Sequence, residues 1–241
     1  MKKYSLLLLM SFFLVVGCKK DEPKLSITVE PTEVSLFRDG ESKLAVKNAE
    51  GEITYKSENE FIAKVSNEGV ITGKVIGETK VTVTALNGTT TTLVTVNPRI
   101  RFIPEPYTGF GNSVETVKSE LTKRGDNFTV SENGTIMVKK VIDKSDVIYL
   151  YMFESSKLTS SAFACSITSQ ITSSVIDFYV ERYVVASQTG SYSYVGFTPD
   201  KKIAVGISLL SDNSIVAVMY FPFNSSSSIK EHVRQNIKQC F

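Results

Sequence analysis

Residues 25–97 carry strand signals at short, even intervals and contain no segment with helical periodicity. Apolar and polar residues alternate along the runs, and glycines separate them. Asp39-Gly40 and Asn87-Gly88 are turn pairs, and the second is a strong hairpin signal. The runs are 25–29, 34–36, 43–46, 53–55, 63–65, 70–71, 80–85 and 91–96. About seven short strands in a segment of this length predict a small β-sandwich.

Five stretches of this segment resemble the bacterial Ig-like domain, group 2. They are 29–34, 55–59, 62–66, 69–73 and the closing stretch from Gly77 through 81–84. The resemblance runs through the whole segment in order. It implies an Ig-like fold and a bacterial surface setting, since relatives occur as stalk modules of adhesins and as single modules of surface lipoproteins. It implies no chemistry, because function depends on the site and not on the fold.

The chain begins with a positive pair, Lys2 and Lys3, followed by an apolar stretch over 6–16 that only Ser11 interrupts. As a helix this stretch would rise about 17 Å, well short of the roughly 30 Å hydrocarbon core of a bilayer. The pattern therefore favours a signal peptide over a transmembrane helix. Positions 15–18, Val-Val-Gly-Cys, resemble the lipobox of bacterial lipoproteins.

The lipobox resemblance implies that residues 1–17 are a signal peptide and that Cys18 is acylated on its thiol and, after cleavage, on its new amine. Two or three acyl chains give stable membrane anchoring where one chain would not. The alternative is an ordinary secretory signal with a coincidental cysteine.

Residues 18–24 are predicted to be the acylated tether. Their Lys20, Asp21 and Glu22 resemble a surface-export signal of some Gram-negative lipoproteins, which implies the outer face of the outer membrane. The alternatives are a merely solvated tether and a periplasm-facing anchor. Residues 19–24 reach at most about 20 Å, so the Ig-like module is expected close to the membrane and the rest of the chain beyond it.

The charge balance argues against nucleic acid as a partner. The chain has 27 basic and 25 acidic residues, and the excess of two lies in Lys2 and Lys3 of the signal. The mature chain is therefore formally neutral, without a basic arm to track phosphates. The expected partners are the membrane, through the acyl chains, and a protein or glycan ligand of the C-terminal domain; no cofactor is expected.

Residues 98–107 contain three prolines and are predicted to be a semi-rigid linker to an α+β domain over 108–241. Its predicted order is a helix at 112–124, four strands, a helix at 169–186, three strands and a short helix marked by Ile229, Val233 and Ile237. Asn112 is the predicted cap of the first helix, with Glu115 completing a capping box. The chain is thus predicted to be mainly β, an Ig-like β-sandwich followed by an antiparallel sheet with helices on one face, suggesting a duplicated helix-plus-meander unit.

The sequence contains no recognisable catalytic motif or metal-binding motif. The single histidine, His232, is interpreted as an exposed helix residue. Cys165 and Cys240 either form a disulfide or stay two separate thiols, and they make no recognisable metal site. The scattered carboxylates are interpreted as solvated loop and helix-face residues; they are Asp143, Asp146, Glu154, Asp177 and Glu181.

The strand tyrosines are the remaining candidates for ligand contact; they are Tyr149, Tyr151, Tyr192, Tyr194 and Tyr220. Tyr149 and Tyr151 share one strand face while Leu150 and Met152 point the other way, so both sets cannot face water. The pattern favours tyrosines in the core over a sugar-stacking surface.

These observations favour a non-catalytic binding or adhesion lipoprotein. An envelope-complex accessory or inhibitor-like protein is the second hypothesis, motivated by the helix-plus-meander order. A hydrolase using two of the carboxylates is the third.

Overall fold

The computed structural model describes residues 25–168, 171–190, 193–210 and 214–223. The predicted signal peptide, Cys18, the motif of Lys20, Asp21 and Glu22, and the C-terminal residues His232 and Cys240 lie outside these ranges. The described chain is mainly β, as predicted.

The first module contains nine strands arranged in layers. They are β1 Thr28–Glu30, β2 Glu33–Phe37, β3 Glu41–Lys43, β4 Ala45–Lys47, β5 Thr54–Ser57, β6 Ala63–Val65, β7 Val70–Gly73, β8 Gly77–Ala85 and β9 Gly88–Asn97. One sheet has the order β2-β9-β8-β5, a second has β3-β7-β6, and β1 pairs with β4. The predicted hairpin at Asn87-Gly88 joins β8 to β9 and is confirmed.

Alternate residues of these strands form the core between the layers. Val81, Val83 and Val94 on one sheet and Ile71 and Ala63 on the other are fully buried. The predicted single strand at 43–46 is split into β3 and β4. The period-two pattern therefore gives the sandwich correctly and misses this interruption.

The C-terminal domain contains two helices and eight strands within the described residues. They are α1 Val114–Lys123, β10 Phe128–Val130, β11 Ile136–Ile142, β12 Ser145–Glu154, β13 Lys157–Ser166, α2 Thr172–Arg182, β14 Val184–Gly190, β15 Ser193–Phe197, β16 Ile203–Leu210 and β17 Ile215–Pro222. The strands form one antiparallel sheet in the order β10-β11-β12-β13-β17-β16-β15-β14.

This order shows two copies of one unit, each a helix followed by a four-stranded meander. The last strands of the two units, β13 and β17, pair at the centre of the sheet, with Phe163 opposite Val218. The suggested duplication is thereby confirmed, with one more strand in the second unit than the sequence indicated.

Both helices pack on the same side of the sheet, which we call the first face. Val117 and Leu121 of α1 and Val175 and Phe178 of α2 share one buried cluster with that face. Sheet residues of the cluster include Val138, Tyr149, Tyr151, Phe163, Val218 and Tyr220. The opposite side, which we call the second face, carries Leu150, Met152, Ala162, Met219 and Phe221.

Two helix boundaries differ from the prediction. Ser113 caps α1, its Oγ accepting from Thr116 N–H at 3.2 Å, whereas the side chain of the predicted cap, Asn112, donates to the Tyr107 hydroxyl. The helix α2 ends at Arg182 because the chain from Val184 onward pairs with β15. β-Branched residues favour a pleated strand over a further helical turn.

The segment 98–107 has no regular secondary structure, yet it does not stand free of the domain. Ile103 is 3% exposed and belongs to the helix-side core. Tyr149 donates its hydroxyl proton to the Pro104 carbonyl at 2.8 Å, and Ser161 donates to the Tyr107 carbonyl at 2.6 Å. These bonds strap the segment across the first face.

The Ig-like module contacts the C-terminal end of α2. The Arg38 guanidinium donates to the Val180 carbonyl, and Ile76 N–H donates to the Glu181 carbonyl at 2.8 Å. The last carbonyls of a helix have no partner within it, so the Ig-like module supplies a cap for α2. Phe61 also meets Phe197 edge to face, with ring centroids 5.5 Å apart.

Candidate binding groove

An open groove of about 760 Å³ lies on the second face, over strands β11 to β13. Met137, Leu150 and Met152 form its apolar floor, because Met137 on β11 lies opposite Leu150 on β12 and Met152 lies two residues further along β12 on the same face. The complete lining is Ser131, Glu132, Asn133, Thr135, Met137, Leu150, Met152, Phe153, Glu154, Thr159 and Ser160. Its size and its mixture of an apolar floor with a few polar groups are typical of ligand sites.

One wall of the groove is the tight turn between β10 and β11. Ser131 N–H donates to the Thr135 carbonyl at 2.9 Å, and Thr135 N–H donates to the Asn133 side-chain oxygen at 3.2 Å. Gly134 adopts φ +82°, a conformation that a side chain disfavours. Because these bonds are internal to the turn, the wall is shaped before any ligand arrives.

The other end of the groove lies at an irregularity in the pairing of β12 with β13. The register shifts between Met152 and Phe153, as in a β-bulge. Thr159 donates its hydroxyl proton to the Met152 carbonyl at 3.2 Å across this point. Bulges redirect side chains locally, and here Phe153 and Glu154 join the lining.

The charge of the groove is negative. Glu132 and Glu154 contribute carboxylates, and none of the described lining residues is basic. Phe153 is the one aromatic residue in that lining. A ligand with an apolar portion and a neutral or positive charge fits this chemistry better than a stacked sugar, which needs a broader aromatic platform.

The predicted carboxylate candidates do not converge. Asp146 and Glu154 lie at opposite ends of β12, roughly 26 Å apart along an extended strand. Asp143 lies in the β11–β12 turn, and Asp177 is exposed on α2. Among the residues that the structure describes, no group of three or more His, Cys, Asp or Glu side chains is arranged to hold a metal ion.

Glu181 is the candidate that the sequence interpreted wrongly, because it is buried and not a solvated helix-face residue. It is 5% exposed at the end of α2. Its carboxylate accepts the backbone N–H groups of Arg99 and Ile100, each at 3.0 Å, and pairs with Arg182 at 2.6 Å. It therefore joins α2 to the start of the 98–107 segment.

The other named candidates have structural positions. Cys165 is 4% exposed on the first face of β13. Whether it forms a disulfide with Cys240 or both stay separate thiols remains a prediction. Tyr149, Tyr151 and Tyr220 are buried, which confirms the core interpretation for these three. Tyr194 is half-buried, and Tyr192 lies outside the described residues.

The tyrosines of the first face are packed together as a buried cluster. The Tyr179 and Tyr220 hydroxyls bond to each other, and Tyr183 donates to the Glu105 carboxylate at 2.5 Å. Burial raises the pKa of Tyr179, Tyr183 and Tyr220 well above the usual value. The cluster is thus a set of neutral phenols in the core.

Alkaline pH is expected to unfold the C-terminal domain through these phenols. Burial raises the pKa of Tyr151 to about 12 in the folded chain, against about 10 in an unfolded one. The stabilisation is therefore complete below about pH 10 and is lost as the pH rises toward 12. Tyrosinate absorbance and circular dichroism, followed together against pH, should show the buried tyrosines ionising only as the domain unfolds.

Tyr151→Phe is the control for this titration, since it should remove one late-titrating phenol. If every tyrosine ionised near pH 10 while the dichroism stayed native, the buried cluster would be contradicted.

Neither described helix is long and apolar enough to cross a membrane.

The first module is similar to a known protein family. Residues 25–96 match the family model of the bacterial Ig-like domain (group 2), and no curated protein matches the chain. An intimin mutant of EHEC O157:H7 is 13% identical, with a TM-score of 0.28 over 80% of this chain and 98% of that one. Domains 5–6 of the S-layer protein SbsC are 15% identical, with a TM-score of 0.25 over 83% of this chain and 85% of that one.

The family match coincides with the layered strands of the first module and with its predicted resemblance. Residues 25–96 are a bacterial Ig-like domain of group 2.

Proposed function

We propose that this protein is a membrane-anchored surface lipoprotein with a non-catalytic binding role, in which the Ig-like domain is a membrane-proximal spacer. The groove on the second face is the observation that carries the binding role, because it offers an apolar floor and an acidic rim without a catalytic pair. Its proposed ligand is a protein segment that presents an apolar side chain beside a basic one.

The two ends of the Ig-like domain support the spacer role. Asn87 ties Leu25, the first described residue, to the turn at Asn48, with bonds of 3.3 and 2.7 Å. From there β9 runs ten residues, about 30 Å, to the end that contacts α2. A short tether at Leu25 would then hold the C-terminal domain away from the bilayer.

Binding is tested with the full-length protein and a groove variant, Leu150→Asp. We expect this variant to lose at least about tenfold in affinity for basic peptides or host proteins found by array screening, because it places a charge on the apolar floor. Val141→Asp is the matched control, since Val141 is 70% exposed on β11 outside the groove. Equal binding by both variants would show that the groove is not the site.

Anchoring is tested at the N-terminus. Cys18→Ala is expected to abolish incorporation of a palmitate analogue and to release the protein from the membrane fraction. Protease treatment of intact cells should degrade the wild-type protein. Replacing Lys20, Asp21 and Glu22 by alanine should protect it, whereas a wild-type protein that resists protease would be periplasm-facing.

A further inference from the structure

The second face is apolar where the two halves of the sheet join. Ala162 and Met219 are 0% exposed there and Phe221 is 1% exposed, although α1 and α2 lie on the other side of the sheet. A sheet face that meets water normally alternates with polar residues, whereas strands buried on both faces are continuously apolar. No charged residue occurs within 158–166, 203–210 or 215–221. These three strands therefore have the composition of strands covered on both sides.

Small residues form a row across three strands of the second face, and we call this row the lane. Ala164, Ala217 and Ser208 lie opposite one another on β13, β17 and β16, beside a ridge made by Met219 and Phe221. Small side chains on a sheet let another element approach closely. The Ser208 hydroxyl oxygen is also buried and has no hydrogen-bond partner among the described residues. A buried hydroxyl without a partner is costly, which indicates that a further element completes this face.

We propose that residues 224–241 of this same chain cover the second face as an amphipathic helix. The described chain ends directly beside that face, since Phe221 belongs to its ridge and β17 ends at Pro222. A helix that begins after Ser228 would have 13 residues and a length of about 20 Å, enough to cross about four strands spaced about 4.8 Å apart.

The sequence of this segment fits the lane. Ile229, Val233 and Ile237 recur at i, i+4 and i+8, and so share one side of a helix. The polar residues Gln235 and Lys238 fall on the opposite side. Ser228 followed by Glu231 is a capping-box pair at the start. The segment thus supplies one narrow apolar stripe, matched to one narrow apolar lane.

The groove keeps its own position under this proposal. It lies over β11 to β13, whereas the lane lies over β13, β17 and β16. The proposal therefore does not depend on the proposed function, and a failure of either leaves the other standing.

Methionine oxidation by hydrogen peroxide in the detergent-extracted full-length protein tests the proposal. Met219 reports on the lane, and Met137 in the groove is the internal reference. We expect Met219 to be oxidised at least about tenfold more slowly than Met137, as followed by mass spectrometry. Val233→Asp combined with Ile237→Asp should abolish this difference, as should deletion of 224–241. Gln235→Asp combined with Lys238→Asp is the matched control and should preserve it.

Three results would overturn the proposal. Equal oxidation of Met219 and Met137 in the wild-type protein would mean an open face. Protection of Met219 that persists after deletion of 224–241 would mean another occupant, and protection lost on dilution would mean a second copy. Because a variant can fail to fold, a second measurement places a photoreactive phenylalanine analogue at Val233. This analogue should crosslink to residues 160–164 or 204–221. Crosslinks to α1 or α2 would contradict the proposed placement.

Discussion

Glu181→Ala is expected to lower the free energy of unfolding of the C-terminal domain by about 3–5 kcal/mol, the usual cost of removing one partner of a buried ion pair. The Glu181 side chain is 6% exposed, and that of its partner Arg182 is 11% exposed. The variant would also remove the acceptor of the partly buried backbone N–H groups of Arg99 and Ile100, and each lost hydrogen bond costs free energy in addition.

Arg182 limits the size of this loss. Its guanidinium also donates to the Ile100 carbonyl at 2.6 Å and lies over the Phe178 ring, 3.6 Å from the centroid. These contacts would keep part of its charge compensated in the variant. The main effect is therefore expected on the attachment of the segment 98–107 to α2.

Urea unfolding followed by tyrosine fluorescence measures the change. Asp177→Ala is the matched control, since Asp177 lies one turn earlier on the same helix and is exposed, and we expect it to change stability by less than about 0.5 kcal/mol. If the two variants behaved alike, the buried junction at Glu181 would be refuted.

Asp177 and Glu181 differ in burial, although the sequence around them does not distinguish the two residues. Both are acidic residues one helical turn apart, and local pattern gives them the same interpretation. Besides the adjacent Arg182, the partners of Glu181 are backbone N–H groups some eighty residues earlier in the chain, and backbone donors leave no mark in the sequence. Its burial follows from tertiary packing alone.

The strand faces are easier to predict than the end of α2, because alternation with a period of two shows which residues share one face of a sheet. Tyr149 and Tyr151 were separated from Leu150 and Met152 by alternation, and the structure places the two sets on opposite faces. The strand β14 is not predicted, because the helical spacing of α2 continues up to its start. Tyr183 continues the apolar spacing of α2, so the periodicity extended the helix into Val184, where pairing with β15 prevails.

The groove could not be predicted, since it depends on a turn and a bulge. The position of the turn at Asn133-Gly134 beside Leu150 depends on the register of β11 with β12. The register shift after Met152 has no local sequence signal. A site made from two irregularities on three strands is defined by pairing, which a single sequence does not reveal.

Tyr220→Ala is expected to destabilise the domain by about 3–5 kcal/mol, as for a large aromatic residue removed from a core. Tyr220 is 0% exposed on the central strand β17, and its ring lies 5.9 Å from that of Tyr179 and 6.2 Å from that of Tyr183. Because β17 joins the two helix-plus-meander units, a cavity here removes packing from both.

Tyr220→Phe separates the ring from the hydroxyl. This variant keeps the packing and removes the bond to the Tyr179 hydroxyl, so we expect a loss of about 1 kcal/mol. Tyr194→Ala is the control for position, since Tyr194 is half-buried on β15 toward the edge of the sheet, and it should cost less than Tyr220→Ala. All three are compared by urea unfolding. A Tyr220→Phe loss as large as that of Tyr220→Ala would mean that the hydroxyl pair, and not aromatic packing, holds the two units together.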